Sequence, residues 1–141
     1  MPERRRHRGE AVVVTTVSDD GVPHHAFLSE DEWGHREDGR VAMALLSRSR
    51  TAGNLRARRV ASLLSLSGRA PGTAVLRLAG RPRRLRADAD RHLFTFDVLR
   101  EIPARTLPGE AARLVGTLAY ERREDPEEAR RRRLVEEEIL R

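Results

Sequence analysis

The densest chemistry in this chain is the nine-residue run SRSRTAGNL at residues 47–55. Ser47, Ser49 and Thr51 offer hydroxyls and Arg48 and Arg50 offer guanidinium groups, at the start of a segment that reads as helical to about Arg58. A helix start presents backbone N–H groups without intrahelical partners and the positive end of a dipole, an arrangement that favours an anion. Arginine adds a bidentate grip on phosphate. The same residues also suit a simpler outcome, a helix capped by Ser49 or Thr51 with its arginines in solvent.

Other candidates are thinner. His24 and His25 are adjacent, and neighbours on a strand point to opposite faces, so one of them at most faces a given ligand. Five histidines without a spacing pattern give no metal site. Trp33, alone in a polar stretch, suits either a cover over a ligand or a packing residue at a subunit contact. Cysteine is absent, which excludes disulfides, thiolate metal sites and cysteine nucleophiles. No nucleophile triad and no carboxylate pair stands out.

Composition narrows the classes. A chain of 141 residues is the size of one domain and can bury a core without staples. The formal charge is +6, and all 28 cationic residues are arginine, which fits a coding bias better than a general affinity for polyanions. The charge that matters is local. Arg48, Arg50, Arg56, Arg58 and Arg59 fall within twelve residues containing no acid, whereas residues 121–141 carry eight acids against seven arginines. A basic, β-rich chain invites comparison with small nucleic-acid-binding barrels. Those need exposed aromatics for base stacking, and this chain has only Phe27, Trp33, Phe94, Phe96 and Tyr120. No run approaches the roughly 20 apolar residues of a membrane helix. The run AVVVTTV after the basic first residues is too short for a secretory signal, so a cytoplasmic protein is expected.

The elements that must position residues 47–55 are short strands. Residues 1–10 are polar and read as a mobile basic arm. Residues 11–17 are rich in Val and Thr, which suits a strand. Asp20-Gly21 marks a hairpin, with residues 22–29 returning and Pro23 near the strand start. Residues 41–46, VAMALL, read as a buried strand, and Gly53 weakens the helix after it by about 1 kcal/mol. Residues 60–67, 73–80 with a continuation to 87, and 92–102 complete the strands, the last with Phe94, Phe96 and Val98 at period two. Residues 112–120 fit a last strand or a short helix. Pro126 opens a final helix whose narrow apolar stripe is Val135 and Ile139. The fold class is mainly β (α+β): a six- to seven-stranded antiparallel barrel with a helix near 49–58 and a C-terminal helix near 126–140. Residues 11–141 form one domain.

The ordered set TTVSDDGVPHHAFLS followed by GRVAMALLSRSRTAGNLRARRVASLLSL resembles the first half of the pyridoxamine 5′-phosphate oxidase-like FMN-binding split barrels. The resemblance covers residues 11–67 well and 73–102 more loosely, through LRLAGRPRRL. It implies an FMN-binding protein acting as an oxidoreductase on a small substrate, a homodimer with the flavin at the subunit interface, and no nucleic acid or membrane. Ser49, Arg50 and Thr51 match the phosphate-binding turn, flanked by Ser47 and Arg48. Asn54 and Leu55 match a polar contact to the phosphate or ribityl region and a packing residue. His25, Ala26 and Phe27 match the strand end facing the isoalloxazine ring, with Leu45 and Leu46 on the neighbouring strand. Barrels of this kind also bind F420 or haem, or hold FMN without turnover. The second basic phosphate ligand of the vitamin-B6 oxidases falls at Leu28 and Ser29 here, so that substrate is not expected. A flavin brings its own redox chemistry and the protein supplies binding and orientation, so no catalytic side chain is required.

Overall fold

Valine and threonine favour extended backbone, and in the computed structural model the AVVVTTV run belongs to a longer strand, β1 (Arg6–Val17). The structure describes residues 6–66, 71–104, 118–123 and 125–141. The chain reverses at Gly21, which takes a φ of 81° that only glycine adopts freely. Gly21 N donates to the Ser18 carbonyl at 2.8 Å and Val22 N donates to Asp20 Oδ1 at 3.2 Å. β2 (Pro23–Ser29) returns antiparallel, from Pro23 opposite Val17 to Ser29 opposite Ala11.

Two departures from the sequence reading follow from long-range pairing. Residues 6–10, placed in the mobile arm, extend β1 and pair with β9 (Ala119–Arg123). The polar stretch after β2 holds a short strand, β3 (Trp33–His35), which pairs with β4 (Val41–Leu46). The expected strand or helix at 112–120 lies mostly outside the described residues; Ala119 and Tyr120 open β9.

After β4 come α1 (Arg50–Arg58), β5 (Val60–Ser65), β6 (Gly72–Leu78), β7 (Arg83–Arg84), β8 (Arg91–Pro103) and, following β9, α2 (Pro126–Leu140). The antiparallel path runs β2-β1-β5-β6-β8-β4-β3, with β7 beside β8 and β9 beside β1. It curls into a half-barrel left open between β2 and β3, as the expected split barrel requires.

Alternation decides the inner face. Val12, Val14, Leu28, Leu63, Leu76, Leu78, Met43, Leu45, Phe94 and Phe96 point into one core, and Ala52 and Leu55 of α1 close its end. β4 is buried on both faces. Ala42 and Ala44 on its outer side pack with Leu93 and Leu85 under Val135 and Ile139 of α2, which explains the unbroken apolar run VAMALL. α2 starts as its residues dictate: Asp125 caps it by accepting from Glu128 N at 2.9 Å, and Pro126 follows in the first turn. No helix among the described residues is long and apolar enough to cross a membrane.

β6 and β8 approach closely at the end of their pairing. A Cβ added to Gly72 would lie 2.6 Å from the Ile102 carbonyl oxygen and 3.1 Å from Pro103 Cα, both backbone atoms. Gly72→Ala is therefore expected to destabilise the fold by about 1–3 kcal/mol, the usual cost of overpacking against a rigid neighbour. An unchanged urea midpoint would show that the two strands can separate there without loss.

Candidate functional site

The chain leaves the buried strand β4 at Leu46 and enters α1 within three residues, so the turn at 47–49 is fixed at both ends. Ser47 N donates to the Asp90 carbonyl at 2.9 Å and Ser49 N to the Leu46 carbonyl at 3.0 Å. Ser49 is the cap of α1: its backbone is extended and its Oγ accepts from Ala52 N at 3.1 Å. Gly53 N then donates to the Ser49 carbonyl at 3.1 Å. Among the described residues, the N–H groups of Arg50 and Thr51 have no acceptor within the chain. The first turn of α1 contains no acid, so its dipole is not offset there. Arg48 and Arg50 are exposed, and no described carboxylate pairs with either. The turn therefore offers free backbone donors, free guanidinium groups and uncompensated positive potential together. That donor set fits a phosphate.

The remaining residues named from sequence divide into two groups. Leu45, Leu55 and Thr51 are buried, and both leucines belong to the core. Asn54 is also buried and ties α1 to the end of β1, its Nδ2 donating to Thr16 Oγ1 at 3.0 Å and reaching Ser18 Oγ at 3.5 Å. In this chain the Asn54 amide is thus engaged within the fold. Leu46 is half exposed at the end of β4.

His25, Ala26 and Phe27 lie on β2, at the other end of the sheet path from β4. Ala26 faces inward opposite Val14, while His25 and Phe27 face outward. His25 Nδ1 lies 2.8 Å from Thr15 Oγ1, which fixes the ring and leaves its other nitrogen outward. Phe27 is 67% exposed, an unusual state for an aromatic ring on a strand. Trp33 is half buried against the principal core of its own chain, with its ring 5.5 Å from that of His35. Clefts of about 170 and 490 Å³ lie beside α2, lined by residues such as Asp31, Arg132 and Glu128 or Glu136, and include none of residues 47–51. Among the described residues no cluster of His, Asp and Glu could hold a metal ion.

Sequence reasoning missed one member of the site. Arg56 reaches back from α1 and donates from Nη1 to the Ser47 carbonyl at 2.7 Å and from Nη2 to Ser47 Oγ at 3.0 Å. Its guanidinium lies 5.5 Å from the Phe94 ring centroid, and Nη2 is 3.4 Å from His92 Nδ1. The acid-free arginine run contained the residue, but no local signal paired it with Ser47.

No family model and no curated protein matches the sequence. Solved structures do match. The styrene monooxygenase flavin reductase from Pseudomonas putida S12 aligns with a TM-score of 0.56 at 12% identity, over 72% of this chain and 83% of that one. A homologue of nitrilotriacetate monooxygenase component B from Mycobacterium thermoresistibile gives 0.59 at 12% identity, over 86% and 82%. An F420 reductase gives 0.55 at 11% identity, over 67% and 90%. At these identities the likeness is one of fold. This chain has the split-barrel fold seen in flavin reductases and in an F420 reductase.

Proposed function

We propose that this protein binds FMN, with the phosphate at the turn of Ser47, Arg48, Ser49, Arg50 and Thr51, and works as a flavin-dependent oxidoreductase on a small substrate. The observation that carries the reading is the α1 start, with its free N–H groups and unpaired arginines, on a fold shared with flavin reductases. The flavin would supply the electron transfer; the chain supplies the anion site and an apolar wall.

A homodimer completes the reading. One cross-strand row on the outer face of the sheet is Phe27, Val13, Leu64, Thr73 and Ile102, and the next is His25, Thr15, Ser62, Val75 and Arg100. On the first row, Phe27 and Ile102 are 67% and 45% exposed. The first row is apolar at four of its five positions, and an exposed apolar stripe of this kind favours association. A second copy laid across it would cover Phe27 and His25 and bring a flavin edge against them, which suits their outward side of β2 at the far end of the strand path from β4.

Purified protein should show a flavin absorption band or take up added FMN, and should sediment as a dimer. Arg50→Ala should weaken FMN about tenfold and shallow the salt dependence, with the melting temperature unchanged, because a phosphate contact to arginine is charge-assisted. Affinity unaffected by that change would move the phosphate elsewhere, and no uptake of any flavin would end the cofactor reading. F420 is the second reading, favoured by the F420 reductase among the structural neighbours, and a parallel titration separates the two. A nucleic-acid-binding barrel is disfavoured: Phe94 and Phe96 are fully buried and Trp33 is half buried, leaving Phe27 as the one well-exposed aromatic side chain among the described residues.

A further inference from the structure

The arginines around the α1 start are not equivalent. Arg48 and Arg50 extend into solvent, whereas Arg56 spends both terminal nitrogens on Ser47. A serine hydroxyl has one proton to give and lone pairs to receive. With Oγ accepting from Arg56 Nη2, the Ser47 proton is free to point elsewhere, and no described residue accepts it. A hydroxyl that accepts from a cation is also a stronger donor. The guanidinium itself is seated, lying over Phe94 and beside His92 Nδ1.

We propose that Arg56 is the positioning residue of the phosphate turn: it does not bind the phosphate but clamps the Ser47 carbonyl and hydroxyl, so that Ser47 Oγ–H becomes a phosphate donor next to the free N–H groups of Arg50 and Thr51. This rests on the phosphate reading of that turn. The clamp needs a planar fork that reaches a carbonyl and a hydroxyl at once. Lysine keeps the charge and lacks the fork.

The test compares FMN with riboflavin, which lacks the phosphate, across the wild type, Arg56→Lys, Ser47→Ala and the double variant. Arg56→Lys should weaken FMN about tenfold while moving riboflavin less than about twofold, because only the phosphate contact is misplaced. Its salt slope should match the wild type, since the charge stays, whereas Arg50→Ala flattens that slope. Ser47→Ala should cost about as much as Arg56→Lys, and adding the second change to the first should cost little more, as expected of residues acting as a unit. Ser47→Ala carries the test on its own if the Arg56 variant fails to fold. Equal losses for both ligands, additive losses in the double variant, or a flattened salt slope in Arg56→Lys would overturn the clamp and leave the phosphate site standing. Wild-type protein that binds FMN no better than riboflavin would remove the phosphate site itself, and the clamp with it.

Discussion

Phe94→Ala should lower the stability of the fold by about 3–5 kcal/mol, the usual cost of deleting a fully buried ring. Phe94 is 0% exposed and stands opposite Met43 in the middle of the inner face, so β4 and β8 lose their shared filling together. The surrounding strands have little freedom to collapse into the gap. β4 is held from its other side by Ala42, Ala44 and α2, and β8 is paired with β4, β6 and β7. The loss should reach the candidate site as well, because the ring is the floor on which the Arg56 guanidinium rests. Urea unfolding gives the stability, and FMN titration under conditions where the variant remains folded gives the second effect. A cost below about 1 kcal/mol would mean that the ring is not a core member.

Why Phe94 was legible in the sequence, and other residues were not, is a matter of range. Phe94, Phe96 and Val98 alternate with polar neighbours, and period two announces an inner face before any partner is known. VAMALL reads as buried because both of its faces are apolar, although the helix covering the second face lies far along the chain. Val135 and Ile139 are the two α2 residues that are buried, the same narrow stripe that spacing picks out. β3 has only three residues and no apolar alternation, so its strand state comes wholly from pairing with β4. Residues 6–10 likewise depend on β9. At the site, the helix cap is a local feature that the sequence narrows to Ser49 or Thr51, and the structure gives it to Ser49. Asn54 meeting Thr16, or Arg56 meeting Ser47, is decided by how α1 lies against β1 and β4, and residue types alone carry no trace of it. The same limit hides the charge cluster beneath α2. The acidic run Glu30-Asp31-Glu32 looks like a solvated loop, yet Asp31 and Glu32 are gathered under arginines from β8, β9 and α2.

That cluster sets the second large effect, a loss of stability in acid. Asp31 accepts from Ser29 Oγ and from Arg122 at 3.2 Å, and Arg132 lies 3.6 Å away. Burial alone would raise its pKa, but the Ser29 hydroxyl and the two arginines hold the carboxyl below its ordinary value. Glu138 follows the same balance: burial opposes its charge, and the N–H groups of Arg86 and Ala87, at 3.1 and 2.6 Å, with Arg83 outweigh it. A carboxylate whose pKa is lower folded than unfolded stabilises the fold above the unfolded value, near pH 4, and that support is lost as pH falls through the folded value. Both groups bear on α2, one through Arg132 and one from the helix itself, so the helix should loosen from β4 as acid is added. Asp31→Asn keeps the shape and removes the charge. It should cost about 2–3 kcal/mol at neutral pH, in line with hydrogen bonds to a charged group. The gap between wild type and variant should narrow as pH falls below the ordinary aspartate value and on through the lowered folded value, where both are neutral at that position. A gap that stays constant from neutral pH into acid would show that Asp31 contributes shape and no charge, and the docking of α2 would then rest on Val135, Ile139 and the Glu138 contacts.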